Sequence, residues 1–254
     1  MITLVNPRPL RVLSLFDYTG NALRPFALRG ATCLAVDEQH PEFYHKDAIG
    51  ITYAKRNLWK KSVLTELMEW RPDLILSFPP CTDLAVSGAA HWASKRERNP
   101  LFQEEAMDLA KTAPIISDLC LEHQGVGVPW MVENPVGALS TLWRKPDLIF
   151  HPYEFGGYLP EDDEHPRYPE YYPPRDNYTK KTCLWFGRGF STPEKRPIAL
   201  NQKTYAATHL KLGGKSLRTK NIRSETPRGF SEALASHYTK LHLRNKLEGA
   251  AFAA

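Results

Sequence analysis

The sequence predicts an α/β protein built on a doubly wound, mostly parallel sheet with a small basic lobe attached. Two observations lead there. Short apolar runs at 12–16, 32–36, 74–78, 130–132 and 183–186 are continuous rather than alternating, as strands covered on both faces require. Helical or mixed stretches separate them, the alternation that winds a parallel sheet.

The elements follow in order. The run 12–16 reads as a first strand ending in Phe16-Asp17-Tyr18-Thr19-Gly20-Asn21, a turn in which Gly20 permits close backbone approach. The run 32–36 ends in Asp37-Glu38, where a carboxylate can accept hydrogen bonds from ribose hydroxyls. A glycine turn followed by an acidic strand end, both at the carboxyl edge of a parallel sheet, suits a nucleoside-containing cofactor. Residues 62–70 and 101–122 carry helical spacing, the second interrupted by Pro114, which should kink or split it. Residues 152–176 are loop-like but hold six tyrosines and phenylalanines, enough apolar area for an ordered excursion or lid. Residues 186–228 lack periodicity and are rich in Lys, Arg, Gly and Thr, and an amphipathic helix over 230–246 closes the chain. The expected division is a core over 1–185, a recognition lobe over 186–229 and a closing helix over 230–254 that returns to the core.

The run 74–78 is the most informative. It stops at Pro79-Pro80-Cys81, so two prolines end the strand and stiffen the loop that presents the thiol. A nucleophile suits that position better than a buried structural cysteine does. Composition narrows the rest. With 254 residues, 42% hydrophobic and 24% charged, one main domain with a full core is expected. Four widely spaced cysteines (Cys33, Cys81, Cys120, Cys183) suggest neither a disulfide framework nor a metal knuckle, so no metal and a reducing cytoplasm are expected. There is no 18-residue apolar run and no leader-like start, and no membrane partner is expected. Charge is uneven: residues 201–254 hold ten Lys and Arg against three Glu, while the first 200 are slightly acidic. A basic quarter on a neutral body suits one face that meets a polyanion.

With these segments on the page, the chain resembles the DNA cytosine-C5 methyltransferases, in particular short members of the kind carried by phages and prophages. VLSLFDYTGNALRPFALRG resembles that family's cofactor loop, FPPC its nucleophile motif and VENP its Glu-Asn motif. KKTCLWFG, from Lys180, resembles its basic strand motif in shortened form, and RSETPRGFSEALA, from Arg223, its closing segment. The resemblance implies a Rossmann-like fold and S-adenosylmethionine as cofactor. It implies that Cys81 adds to carbon 6 of cytosine and that Glu133 holds N3 and the exocyclic amine. Pro80, Asn134, Lys180, Lys181, Thr182, Arg223 and Arg228 are then expected at the substrate. Phe16, Asp17, Tyr18, Thr19, Gly20, Asp37, Glu38 and Pro79 are expected at the cofactor. Double-stranded DNA becomes the partner, with the target base flipped out of the stack, a short or relaxed recognition sequence and a monomeric enzyme in a bacterial cell.

The chain departs from that family in three places. The turn after the first strand has a single glycine, lysines stand where arginines are usual, and Arg223, Glu225 and Arg228 occupy a region of small or amide residues. Those charges pair with neighbours or accept a carboxylated cofactor, which would make the transferred group a carboxymethyl. The same chemistry on RNA or a free nucleotide, and a non-catalytic DNA-binding protein, are the other readings.

Overall fold

The computed structural model describes residues 8–41, 43–200, 212–213 and 216–252. Eight strands form one sheet: β1 Arg11–Leu15, β2 Thr32–Val36, β3 Tyr44–Lys46, β4 Ile51–Ala54, β5 Leu74–Ser77, β6 Trp130–Pro135, β7 Leu148–Phe150 and β8 Thr182–Gly187. Their order is β3-β4-β2-β1-β5-β6-β8-β7. The five strands from β4 to β6 are parallel. The flanking pairings, β3 with β4, β6 with β8 and β8 with β7, are antiparallel. The run 183–186, expected within the parallel set, therefore runs backwards. The chain re-enters the sheet from the carboxyl edge after a long excursion, so it can only return along β6 in the opposite sense.

Helices cover both faces: α1 Arg24–Ala27, α2 Lys61–Glu69, α3 Trp92–Arg98, α4 Phe102–Ala110, α5 Thr112–Gln124, α6 Leu139–Leu142, α7 Leu217–Arg223 and α8 Arg228–Phe252. One face packs Leu13, Leu15, Ile75 and Val132 beneath Val63 and Leu67 of α2 and Ala113 and Ile116 of α5. The other packs Val12, Leu74, Leu76 and Met131 beneath Phe26 of α1 and Phe230 and Leu234 of α8. Each such side chain, removed from water, contributes about 1.5–3 kcal/mol to holding the layers together. The expected break in the long helical stretch falls at Lys111, between α4 and α5. Pro114 then lies in the first turn of α5, where its missing N–H leaves no hydrogen bond unmade.

The excursion is ordered, as its aromatic content predicts. Phe155 is buried, edge-on to Phe150 and Phe230 at 5.3 and 5.2 Å. Tyr172 and Tyr178 pack with Ile222 in a small cluster of their own. Two polar clamps then fix the excursion to the start of α8. Arg228 holds Asp163 through both guanidinium nitrogens at 2.7 and 2.5 Å, and the Gly229 N–H donates to the buried Asp176 carboxylate at 2.8 Å. The described part of 186–229 lies against the same elements: Ser191 N–H donates to Tyr238 and Ile198 N–H to the Tyr153 carbonyl. Of the basic residues expected to meet DNA, Lys203, Lys211 and Lys215 lie outside the described residues. Arg218 and Lys220 are exposed on α7, a helix capped by Ser216 that no sequence periodicity announced.

The chain turns at β1. It proceeds through β2 to β4 on one side and returns through β5 to β6 on the other, so the carboxyl ends of β1 and β5 splay apart between them. That crevice holds the glycine turn on one bank and Cys81 on the other.

Two expected outcomes follow from this packing. A Cβ on Gly137 would fall inside the Leu84 carbonyl, where the loop after Cys81 crosses the end of β6. Gly137→Ala should therefore lower the unfolding free energy by about 1–3 kcal/mol, read from urea melts; an unchanged midpoint would mean that this crossing is loose. The second concerns pH. Burial raises the Asp176 carboxyl to about 6, against partial relief from the Gly229 N–H and Arg228. The folded protein thus holds this proton more tightly than the unfolded chain does. Its contribution favours folding below about pH 4 and is lost as pH rises through 6. Asp176→Asn should gain on the parent by something on the order of 3 kcal/mol between pH 3 and pH 7. A constant gap across that range would contradict the burial of the charge.

Candidate active site

The nucleophile loop begins where β5 runs into Pro79, whose buried carbonyl has no following strand to pair with. Asn134, on the neighbouring strand, supplies the missing donor: its Nδ2 gives a hydrogen bond to the Pro79 carbonyl at 3.0 Å. Beyond Cys81 the chain folds into a tight turn, with the N–H groups of Leu84 and Ala85 donating to the Cys81 carbonyl at 3.0 and 2.8 Å. The turn is then tied to β6 a second time. Ala85 bridges Gly137, Val86 N–H donates to the Val136 carbonyl at 3.1 Å and Ala138 N–H to the Leu84 carbonyl at 2.7 Å. Cys81 is half-buried on a loop held from both sides, with Pro79 buried beneath it and Pro80 exposed.

Glu133 lies one residue before Asn134 on β6. Its Oε1 is buried and has no hydrogen-bond partner among the described residues. Such an atom is costly to leave unmatched unless a ligand matches it. Burial pushes the Glu133 carboxyl above the ordinary range, with Lys180 acting against that rise. Burial likewise pushes the Cys81 thiol up; Lys180 again opposes it, and Glu133 adds to it. Cys81, Glu133 and Lys180 are thus near enough to act on one another electrostatically. The register explains the lysine: Thr182 pairs with Pro135 and Leu184 with Glu133, so the chain before β8 crosses the carboxyl end of β6. Thr182, the first residue of β8, is fully buried and Lys181 before it is exposed. A carboxyl whose hold on a proton is strengthened by burial, near a thiol and a cation, can donate to a ring nitrogen while the sulfur adds to the ring.

The opposite bank is the turn after β1. Phe16 has φ +57°, a left-handed conformation that a phenylalanine adopts only under constraint. Asp17 is buried and points back into its own turn: Ser14 Oγ and the Gly20 N–H both donate to it at 2.8 Å. Gly20 has φ +68°, and a Cβ there would run into the Tyr53 hydroxyl, so both space and conformation demand glycine. Asp37 stands at the end of β2 with one oxygen accepting the Gln39 N–H at 2.7 Å, while Glu38 is exposed. Tyr18 is exposed and stacks at 5.7 Å on His40, a buried ring whose Nε2 has no partner among the described residues. Burial holds His40 neutral, at about 4.

A cleft of about 310 Å³ opens against this turn, walled by Tyr18, Thr19, Arg167, Tyr168, Arg218 and Asn221. Part of its rim was hidden from the sequence. Glu225, in the closing segment, is buried, accepts from Asn21 Nδ2 at 2.9 Å and Arg167 Nη2 at 2.8 Å, and lies 3.1 Å from His165 Nε2. The cofactor-side turn, the excursion and the closing segment thus meet on one carboxylate. Arg167 and His165 lie in a Pro- and Tyr-rich stretch with no periodicity, 58 residues from Glu225 in the case of Arg167, and no local pattern could have linked them. Arg223 and Arg228, expected near the substrate, are both turned to protein groups. Arg228 holds Asp163, and Arg223 donates to the Leu212 carbonyl.

No family model matches this sequence, and no curated protein matches it. Among solved structures, the chain is similar to a protein provisionally described as a DNA modification methyltransferase encoded within a prophage, from E. coli. The match has a TM-score of 0.39 and 14% identity, and covers 70% of this chain and 46% of that one. The chain thus spans under half the length of that neighbour. No group of three or more potential metal ligands occurs among the described residues, and none of their helices is long and apolar enough to cross a membrane.

Proposed function

We propose that this chain is a DNA cytosine-C5 methyltransferase that uses S-adenosylmethionine. One observation carries the reading: Asn134 ties the loop of Cys81 to the strand of Glu133, whose buried Oε1 has no partner among the described residues, beside the crevice of a parallel sheet and with Lys180 near enough to act on both groups. The opposite bank fits a nucleoside cofactor with a charged tail. Gly20 leaves the turn without a side chain, Asp37 offers a carboxyl at the strand end, and His40 keeps an unmatched nitrogen behind the exposed face of Tyr18. Bound there, S-adenosylmethionine supplies an electrophilic methyl carbon.

The residues of the chain do the rest. Cys81 loses its proton, helped by the nearby Lys180 ammonium, and its sulfur bonds to carbon 6 of the cytosine. Glu133, whose hold on a proton burial strengthens, donates to N3 as negative charge collects on the ring. Carbon 5 is thereby made nucleophilic and takes the methyl group. Water or a nearby base removes the carbon 5 proton, the C6–S bond breaks, and Cys81 departs as thiolate while N3 returns its proton to Glu133. The two ties between the nucleophile loop and β6 hold sulfur and carboxyl at fixed separation, which favours a well-oriented attack. The space lies at a sheet edge that a base inside a duplex cannot enter, so the target cytosine must be flipped out. The basic surplus after residue 200 supports a nucleic acid over a free nucleotide as the substrate.

The test is expression in a host without cytosine methylation, followed by mass spectrometry of digested DNA nucleosides. 5-Methylcytosine is the expected product; 5-carboxymethylcytosine would assign a carboxylated cofactor instead, and unmodified DNA would overturn the proposal. Cys81→Ser should abolish the modification while cofactor binding persists, since an alcohol is a far weaker nucleophile at neutral pH. Glu133→Gln should lower the rate about 10²- to 10⁴-fold with folding intact, because the amide keeps the shape but holds no acidic proton. Wild-type rate in a folded Gln variant would make Glu133 structural.

A further inference from the structure

The proposed chemistry does not use the cation that stands over the glycine turn. Arg167 comes from the excursion and reaches across to the turn after β1. Its Nη2 donates to Asn21 Oδ1 at 2.7 Å and to Glu225 at 2.8 Å. Burial pushes up the hydroxyl of Tyr53, the residue packed against Gly20, and Arg167 is near enough to oppose that rise. Its guanidinium lies 5.7 Å from the centre of the Tyr168 ring, so one face is packed and the orientation is set. Glu225, which anchors it, is itself held by His165 and Asn21 and is almost fully buried. The side chain nevertheless stays 43% exposed, and its Nε and Nη1 donate to no described residue. The result is an arginine fixed on one edge and open on the other, facing the cleft between Tyr18, Thr19 and Asn221. Exposed Arg218 adds a second positive charge to the same cleft.

We infer that Arg167 is the binding residue for a carboxylate at this cleft, and that the carboxylate is the one on the amino-acid tail of the cofactor. The inference rests on the cofactor proposed above. The fork of N–H groups left open on a guanidinium matches a carboxylate in two parallel hydrogen bonds. The location fits as well: with the nucleoside at the strand ends beside Asp37 and Tyr18, its tail must leave past the Gly20 turn, where Arg167 stands. Glu225 is then a positioning residue, since it accepts from Arg167, is itself held by Asn21 and lies against His165. This also gives the excursion a purpose. It delivers one charge to a cofactor bound by otherwise distant elements.

Two ligands separate this role from general support of the site: S-adenosylhomocysteine, which carries the tail, and 5′-methylthioadenosine, which lacks it. Calorimetric titration of the full chain should show Arg167→Gln weakening S-adenosylhomocysteine by about 10- to 100-fold, the range of a charge-assisted hydrogen-bonded pair. Binding of 5′-methylthioadenosine should change by less than about threefold. Arg167→Lys, which keeps a charge beside Glu225, guards against a folding defect and should show the same selective loss at about three- to tenfold. Equal losses for both ligands, or none for either, would overturn the assignment while leaving the cofactor reading intact. Unchanged nucleoside binding with weakened, salt-dependent DNA binding would assign Arg167 to a phosphate instead, and also overturn it. A wild-type protein that binds neither nucleoside would remove both this inference and the reading beneath it.

Discussion

The hydrogen bond from Asn134 Nδ2 to the Pro79 carbonyl, 3.0 Å long, is the constraint on which the proposed chemistry depends. Two prolines end β5 and leave a buried carbonyl that no sheet partner can reach, and a buried carbonyl must be paired. The neighbouring strand meets that need with an amide next to the carboxyl of Glu133. The chain thereby couples the loop that carries the thiol to the strand that carries the acid. The crossing at Ala85 and Gly137 repeats the tie a few residues further on, so the loop cannot slide relative to β6. The loop that carries the sulfur and the strand that carries the carboxyl are thus held together by one side-chain amide and by backbone hydrogen bonds beyond it.

On the facing bank the governing interaction is electrostatic. Glu225 draws Asn21, Arg167 and His165 onto one carboxylate, and so closes the excursion and the closing segment around the turn after β1. Farther back, Arg228 with Asp163 and Gly229 with Asp176 fasten the same excursion to the start of α8. The charges in the closing segment that look out of place for the resembled family are thus accounted for within this protein: Glu225 and Arg228 hold the excursion, and Arg223 holds the Leu212 carbonyl. What they give up in direct contact with a ligand, they return by fixing the residues that line the cleft.

Much of this was legible in the sequence, for identifiable reasons. The five apolar runs are strands buried along most of their length, and burial on both faces leaves a continuous apolar signature that needs no context. Pro-Pro-Cys and Val-Glu-Asn-Pro each mark the end of a strand, because proline has no N–H to give to a further strand partner. β3, β4 and β7 went unread: they are three or four residues long, and Tyr44–Lys46 is an edge strand with no buried face. The reversed direction of β8 was also invisible, since an apolar run has no arrow. Asp17 and Gly20 were found by position, but not their mutual hydrogen bond, which turns the carboxylate inward as a support of the turn. Arg167 and His165 could not be found at all. Their meaning comes from a partner in another part of the chain, and only the fold brings the two together.

The central claim is that Cys81 attacks carbon 6 of a cytosine in DNA. The most direct measurement uses duplexes of randomised sequence containing 5-fluorocytosine, incubated with the protein and S-adenosylmethionine. Fluorine at carbon 5 cannot leave as the proton does, so the C6–S bond cannot be released after methyl transfer. The account predicts a protein–DNA adduct that survives denaturation, maps to the peptide containing Cys81 and is absent in Cys81→Ser. An adduct on Cys33, Cys120 or Cys183, or modified cytosine without any adduct, would contradict it.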